Sequence, residues 1–233
     1  MTAPAWAHAV PRRIAAVPPE LRPVVSASLT LGAVVGVFGI VFGVGAVSAG
    51  GSVLQACAMS LLVFTGASQF TAVSVIDSEG TTGSALSSAM VLAARNGVYG
   101  LTMARHLDGS LARRLLAAQL TIDESTAMAT SQADRRSRAT AFWITGVSVY
   151  VFWNLGTLIG AVAGSSIDPQ TYGLDAAFPA GFVAMVAPHY TTRNGRAAGV
   201  IGGLTALVTI PFVPIGMSIL LAGVAVLVGV RRT

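Results

Sequence analysis

Three groups of residues could handle a charged solute inside an otherwise apolar chain. The first is Phe64-Thr65-Gly66-Ala67-Ser68-Gln69-Phe70-Thr71-Ala72-Val73, which lies within a stretch that has no charged side chain from Pro23 to Ile76. Away from water an amide or hydroxyl must find its partner in protein or in a bound solute. Gly66, Ala67, Ser68 and Gln69 are therefore candidates to line a cavity, with bare backbone N–H groups available to a carboxylate. The same residues could instead form a small packing face, with Gln69 bonded to a neighbouring helix. The second group is Arg95-Asn96-Gly97-Val98-Tyr99-Gly100. An arginine inside an apolar segment costs roughly 2.5–3.5 kcal/mol on insertion scales, and its planar fork suits a carboxylate. Asn96 and Tyr99 stand close enough in sequence to share that site. Alternatively, Arg95 snorkels to headgroups or pairs with Asp123 or Glu124. Those two carboxylates are the third group: in an apolar setting they suit an ammonium group or a coupling proton, because desolvation favours the neutral form. A solvated loop pair, or a partner for arginine, is the other reading of them.

Asp175 and Pro179 are secondary candidates. Asp175 reads as a cap at a helix start, and Pro179 with Gly181 interrupts an apolar run. Nothing points to an enzyme or a cofactor. His8, His106 and His189 are scattered without ligand spacing, and no nucleophile has a base beside it. No Gly-x-x-x-x-Gly-Lys-Ser/Thr segment is present, and the glycines of residues 32–43 follow no strand.

The elements that must position these residues follow from composition. Hydrophobic residues make up 54% of the chain and charged ones only 10%, against about 25% in soluble domains. The chain therefore reads as an all-α polytopic membrane protein with about six to seven hydrophobic helices, some broken or half-length. The net charge of +5 comes from arginines that flank apolar segments, where they orient helices rather than bind nucleic acid. Residues 1–23 form a tail with Arg12, Arg13 and Arg22 ahead of the first apolar run, which favours a cytoplasmic N-terminus. Residues 24–233 form a single membrane domain. Cys57 stands alone, so no intrachain disulfide can form.

The first span covers residues 26–48 and is too long for a cleaved signal sequence. Gly32, Gly36, Gly39 and Gly43 share one face of it and invite close approach of another helix. Residues 53–76 read as the second crossing, with the Gly66–Gln69 group near mid-depth, and residues 82–103 as the third. Residues 115–130, between Arg113-Arg114 and Arg135-Arg136-Arg138, are either a short crossing or a surface or re-entrant element with both basic clusters on one side. Residues 140–163 form an uncharged span. A further span ends near Pro188, and two short helices, residues 197–209 and 215–230, flank Pro211-Phe212-Val213-Pro214. Phe64-Thr65-Gly66-Ala67 is faintly echoed by Phe178-Pro179-Ala180-Gly181, the kind of paired interruption seen in repeat-built transporters.

Several motifs in fixed order resemble the AzlC family, the large subunit of branched-chain amino acid exporters. They are Val37-Phe38-Gly39-Ile40-Val41-Phe42-Gly43, Met59 through Phe70, Arg95 with Tyr99-Gly100, Thr121 with Asp123-Glu124, Trp153 with Gly156-Thr157, and Gly173-Leu174-Asp175 with Phe178-Pro179-Ala180. The resemblance implies export of branched-chain or other hydrophobic amino acids across the cell inner membrane, and a small AzlD-type membrane subunit as partner. Ala93, Asn96 and Val37 stand where the family has asparagine, histidine and proline, among residues that would contact solute. The competing expectation is a membrane scaffold that docks a partner through its glycine faces and carries nothing.

Overall fold

In the computed structural model, residues 17–107, 109–166, 183, 187–213 and 217–227 are described, and every regular element among them is helical. Asp175, Pro179 and the echo at Phe178–Gly181 lie outside the described residues.

Two helices form the spine. The first, α1 (Arg22–Ser48), has 27 residues and follows a short 3-10 turn, Pro19–Leu21. Pro23 falls in its first turn, where a missing N–H costs nothing. The long α7 (Arg135–Ser166) has 32 residues and starts where the Asp134 carboxylate accepts the Ser137 amide at 2.9 Å. The glycine face of α1 meshes with α7: Gly32 lies against Ser148, Gly36 against Phe152, Gly39 against the Trp153 carbonyl and Gly43 against the Thr157 carbonyl. Residue numbers rise together along the seam, so the two helices run parallel. Small residues from α7 answer in kind, because a Cβ on Gly160 would sit 2.0 Å from the Ile40 carbonyl oxygen. Buried hydroxyls add to the seam: Thr145 donates to the Ser28 hydroxyl at 2.9 Å and Ser148 to the Ser28 carbonyl at 3.0 Å. In lipid, such contact and hydrogen bonding hold helices together where no hydrophobic force does.

The crossing expected over residues 53–76 is instead a hairpin. Its first limb is α2 (Val53–Leu62), the chain reverses over residues 63–66, and α3 (Ala67–Asp77) returns. Gln69 of α3 bonds to the Met59 carbonyl of α2 at 3.1 Å. Farther along the limbs, Val73 and Ile76 share a hollow with Gln55 and Ala56, and with Ala46 at the end of α1. The end of α3 thus returns to the end of the bundle where α2 began. The reversal is physically possible because Gly66 adopts φ +60°, a value costly for residues with a Cβ.

From there α4 (Thr82–Ala104), 23 residues long, spans about 35 Å, and α3 packs against it. A second hairpin follows, α5 (Leu111–Gln119) and α6 (Asp123–Thr130). Both its feet lie at the start of α7. His106 at the end of α4 is 3.5 Å from the Arg138 guanidinium, the Arg113 guanidinium sits 5.4 Å above the Trp143 ring, and α6 packs back along α7. Of the two readings of residues 115–130, the re-entrant one matches the structure.

Two half-length hairpins therefore enter from opposite ends and meet at their tips. Gln119 and Tyr150 both donate to the Leu61 carbonyl, at 3.0 and 3.1 Å, which ties the end of α5 to the end of α2. Beyond lie α8 (Arg193–Thr209) and α9 (Met217–Ala222). Among the described residues, three helical stretches are long and apolar enough to cross a membrane: Pro19–Ser48, Arg135–Ser165 and Arg193–Phe212. The reading of about six to seven helices counted residues 53–76 as a crossing, and the hairpin removes it. The α4 helix has the length but carries Arg95. Arg105, Arg113, Arg114, Arg135 and Arg136 gather at the end where α1 starts, and Arg136 pairs there with Glu20 at 3.5 Å. Asp77 and Glu79 mark the opposite end.

Candidate functional site

The site is built from the two hairpin tips. At the first, the Gln69 side chain is fully buried. Its oxygen accepts the Gly66 amide at 3.1 Å and the Thr65 amide at 3.4 Å, while its nitrogen donates to Met59. The amide group of Gln69 is thus bonded to backbone on both sides, including a neighbouring helix, which is the packing alternative that the sequence offered. Ser68 and Thr65 hydroxyls bond to each other. The amides of Ala67 and Ser68, in the first turn of α3, have no helical acceptor and no other acceptor among the described residues. They present the positive end of the helix dipole.

The second tip repeats the cap with different chemistry. The Ile122 amide donates to Ser125 Oγ at 3.1 Å, and that hydroxyl donates to the Leu120 carbonyl at 2.7 Å. Ser125 occupies the position in α6 that Gln69 occupies in α3, three residues after the cap. Where the first tip has Ala67 and Ser68, the second has Asp123 and Glu124, carboxylates that a helix N-terminus stabilises.

Arg95, midway along α4, bridges to the second tip. Its Nη1 lies 2.8 Å from Asp123 Oδ2, with side chains 34% and 37% exposed. The ion pair that the sequence offered as an alternative is formed. Arg95, Gly66, Ala67, Asp123 and Glu124 all line one cavity, walled by the apolar Val35, Phe64, Val149 and Trp153. It holds about 30 Å³, room for about one water. Asn96 and Tyr99 do not line it. The Tyr99 hydroxyl lies within electrostatic reach of Asp123, Arg95 and Glu124, and Asn96 Oδ1 is buried without a partner among the described residues.

Trp153 was visible in the sequence as part of a motif but not as a chemical group. It is 3% exposed, stacks on Phe42 and meets Phe70 edge-on, and its Nε1 has no acceptor among the described residues. A buried indole N–H normally finds one, and a tryptophan in the middle of an apolar span was the signal available. A second hollow of about 320 Å³ opens toward the end of α1, behind the α2–α3 hairpin.

The arrangement places free amides at one tip, carboxylates at the other and a guanidinium between them. That set matches a molecule with a carboxylate, an ammonium and an apolar side chain.

A family model described as AzlC protein matches residues 30–167, a range containing both hairpins. Two Helicobacter pylori proteins, each described as an uncharacterized membrane protein, are similar. The one from strain 26695 is 24% identical over 172 residues, covering 73% of this chain and 75% of the relative. The one from strain J99 is 23% identical over 172 residues, with the same shares covered. No solved structure matches.

Proposed function

The chain belongs to the AzlC family, and on that footing we propose that it is the solute-carrying subunit of an exporter of branched-chain or other hydrophobic amino acids. The observation that carries the proposal is the convergence of two half-helix N-termini, one bare and one acidic, on the cavity that also holds Arg95. Interrupted helices with this polarity suit a zwitterion in transit. The solute carboxylate meets the Ala67 and Ser68 amides and Arg95, and the ammonium meets Asp123 or Glu124. Val35, Phe64, Val149 and Trp153 hold the aliphatic side chain. The two hairpins enter from opposite ends, so moving one tip and then the other gives alternating access.

The remaining assignments belong to the same reading. The protein resides in the cell membrane with the arginine-rich end, and so the N-terminus, in the cytoplasm. The partner is a small apolar membrane subunit of the AzlD type. A scaffold that docks through its glycines has less support, because the glycines of α1 and α7 are used on each other. The test is efflux of preloaded valine, leucine, isoleucine or methionine from cells with and without the chain and its partner. Faster efflux of at least one is expected; identical efflux of all four would sink the proposal.

A further inference from the structure

We propose that the Arg95–Asp123 ion pair is the closed form of the solute site, and that an amino acid enters by exchanging with it. The inference rests on the exporter reading and deepens it. Three observations lead here. First, the cavity between the tips holds about 30 Å³, about one water, so an amino acid cannot lie there while the pair stands. Second, the pair joins separately anchored elements, since Arg95 rides on α4 and Asp123 opens α6 in a hairpin held mainly by α7. Third, the groups that complete a zwitterion site remain uncommitted around it. The Ala67 and Ser68 amides have no acceptor, and Glu124 makes no ion pair among the described residues.

Separating Arg95 from Asp123 strips each charge of its counter-ion. A ligand with a carboxylate alone compensates Arg95 and strands Asp123, and a ligand with an ammonium alone does the reverse. Only a molecule carrying both restores both contacts, so the pair makes the site selective for zwitterions over their singly charged relatives. The 2-oxo acid of the same side chain and the decarboxylated amine are both refused. Each is the natural chemical neighbour of a branched-chain amino acid, and neither differs from it in apolar bulk.

The test is binding by the purified full-length chain with its partner subunit, measured calorimetrically with leucine, 4-methyl-2-oxopentanoate and 3-methylbutylamine. The wild type is expected to bind leucine at least about tenfold more tightly than either analogue, the scale of one charge-assisted hydrogen bond. Asp123→Asn leaves Arg95 unpaired and shifts preference to the oxo acid. Arg95→Met leaves Asp123 unpaired and shifts it to the amine. The double variant Arg95→Met/Asp123→Leu removes the pair cleanly, a change that apolar replacement tolerates. It is expected to melt within a few degrees of wild type and to bind none of the three. Leucine binding with the same order of preference in every variant overturns the exchange while leaving the exporter standing. A wild type that binds none of leucine, valine, isoleucine and methionine overturns both.

Discussion

The side-chain nitrogen of Gln69 donates to the Met59 carbonyl at 3.1 Å while its oxygen takes the Gly66 amide at the same distance. One side chain thus ties the last turn of α2 to the first turn of α3, which it caps, and fixes the angle between them. The hairpin tip, and the free amides beside it, depend on this staple.

Gln69→Ala should therefore act on stability. It orphans the Gly66 and Thr65 amides in a buried setting, at roughly 1–3 kcal/mol, while the Met59 carbonyl keeps the Val63 amide at 2.9 Å. Thermal unfolding in detergent should show a lowered Tm. An unchanged Tm together with lost efflux would instead make Gln69 a solute ligand.

Gly66→Ala isolates backbone strain from crowding. The nearest atom to an added Cβ is Trp153 Cη2 at 4.0 Å, so space is ample, but φ is +60°. With ψ at −93° the residue lies outside even the left-handed helical well, and a cost of about 1–3 kcal/mol is expected, read as a Tm decrease. A neutral result would mean that the reversal does not require that dihedral.

Gly160→Ala and Gly97→Ala form a contrasting pair. At Gly160 the new methyl would meet the Ile40 carbonyl oxygen at 2.0 Å, whereas at Gly97 nothing lies within 4 Å. The first should prise α1 from α7 and cost several kcal/mol, in the range of severe overpacking. The second should be neutral to slightly stabilising. Equal effects in a melting assay would argue against the parallel seam.

Trp153→Phe keeps an aromatic ring against Phe42 and Phe70 while deleting the N–H that has no acceptor among the described residues and shrinking the ring. If that donor meets the solute, KM for efflux should rise about tenfold, with only the modest fall in Tm that a smaller buried ring brings. Trp153→Leu also removes ring contacts worth about 0.5–1.5 kcal/mol each, and so should lower Tm as well. Unaltered KM in Trp153→Phe would confine Trp153 to packing.

The opposed hairpins can be read by labelling. In a Cys57→Ser background, cysteines at Ser110 and Ser131 mark the two feet of the α5–α6 hairpin, and one at Glu79 marks the α3–α4 turn. A membrane-impermeant maleimide added outside intact cells should label only the cysteine at 79. The other two should react only after permeabilisation. Labelling of 110 and 131 from opposite faces would turn the second hairpin back into a crossing.

Much of this was legible in the chain itself, for local reasons. The spacing of Gly32, Gly36, Gly39 and Gly43 puts them on one helical face whatever lies opposite, and α7 fills that face. Residues 82–103 and 140–163 matched real helices because length and hydropathy are properties of a segment alone. The break at Phe64–Gly66 was marked by the residues that make it. Arg95 announced a need for a partner, and Asp123 was among the two named.

Tertiary structure alone decided where the chain goes after each break. A bent crossing and a re-entrant hairpin have the same composition, because both bury an apolar half-helix on either side of a polar joint. What distinguishes them is a few bonds between segments, Gln69 to Met59 within the first tip and Gln119 to Leu61 between the two tips, and no periodicity records them. The second tip was hidden for the same reason: Leu120, Thr121 and Ile122 carry no glycine or proline to signal a turn, and Ser125 acts as a cap only once the fold leaves the Ile122 amide without another acceptor. Residue types set which charges the protein must neutralise. The meeting of two hairpins set which charges face one another.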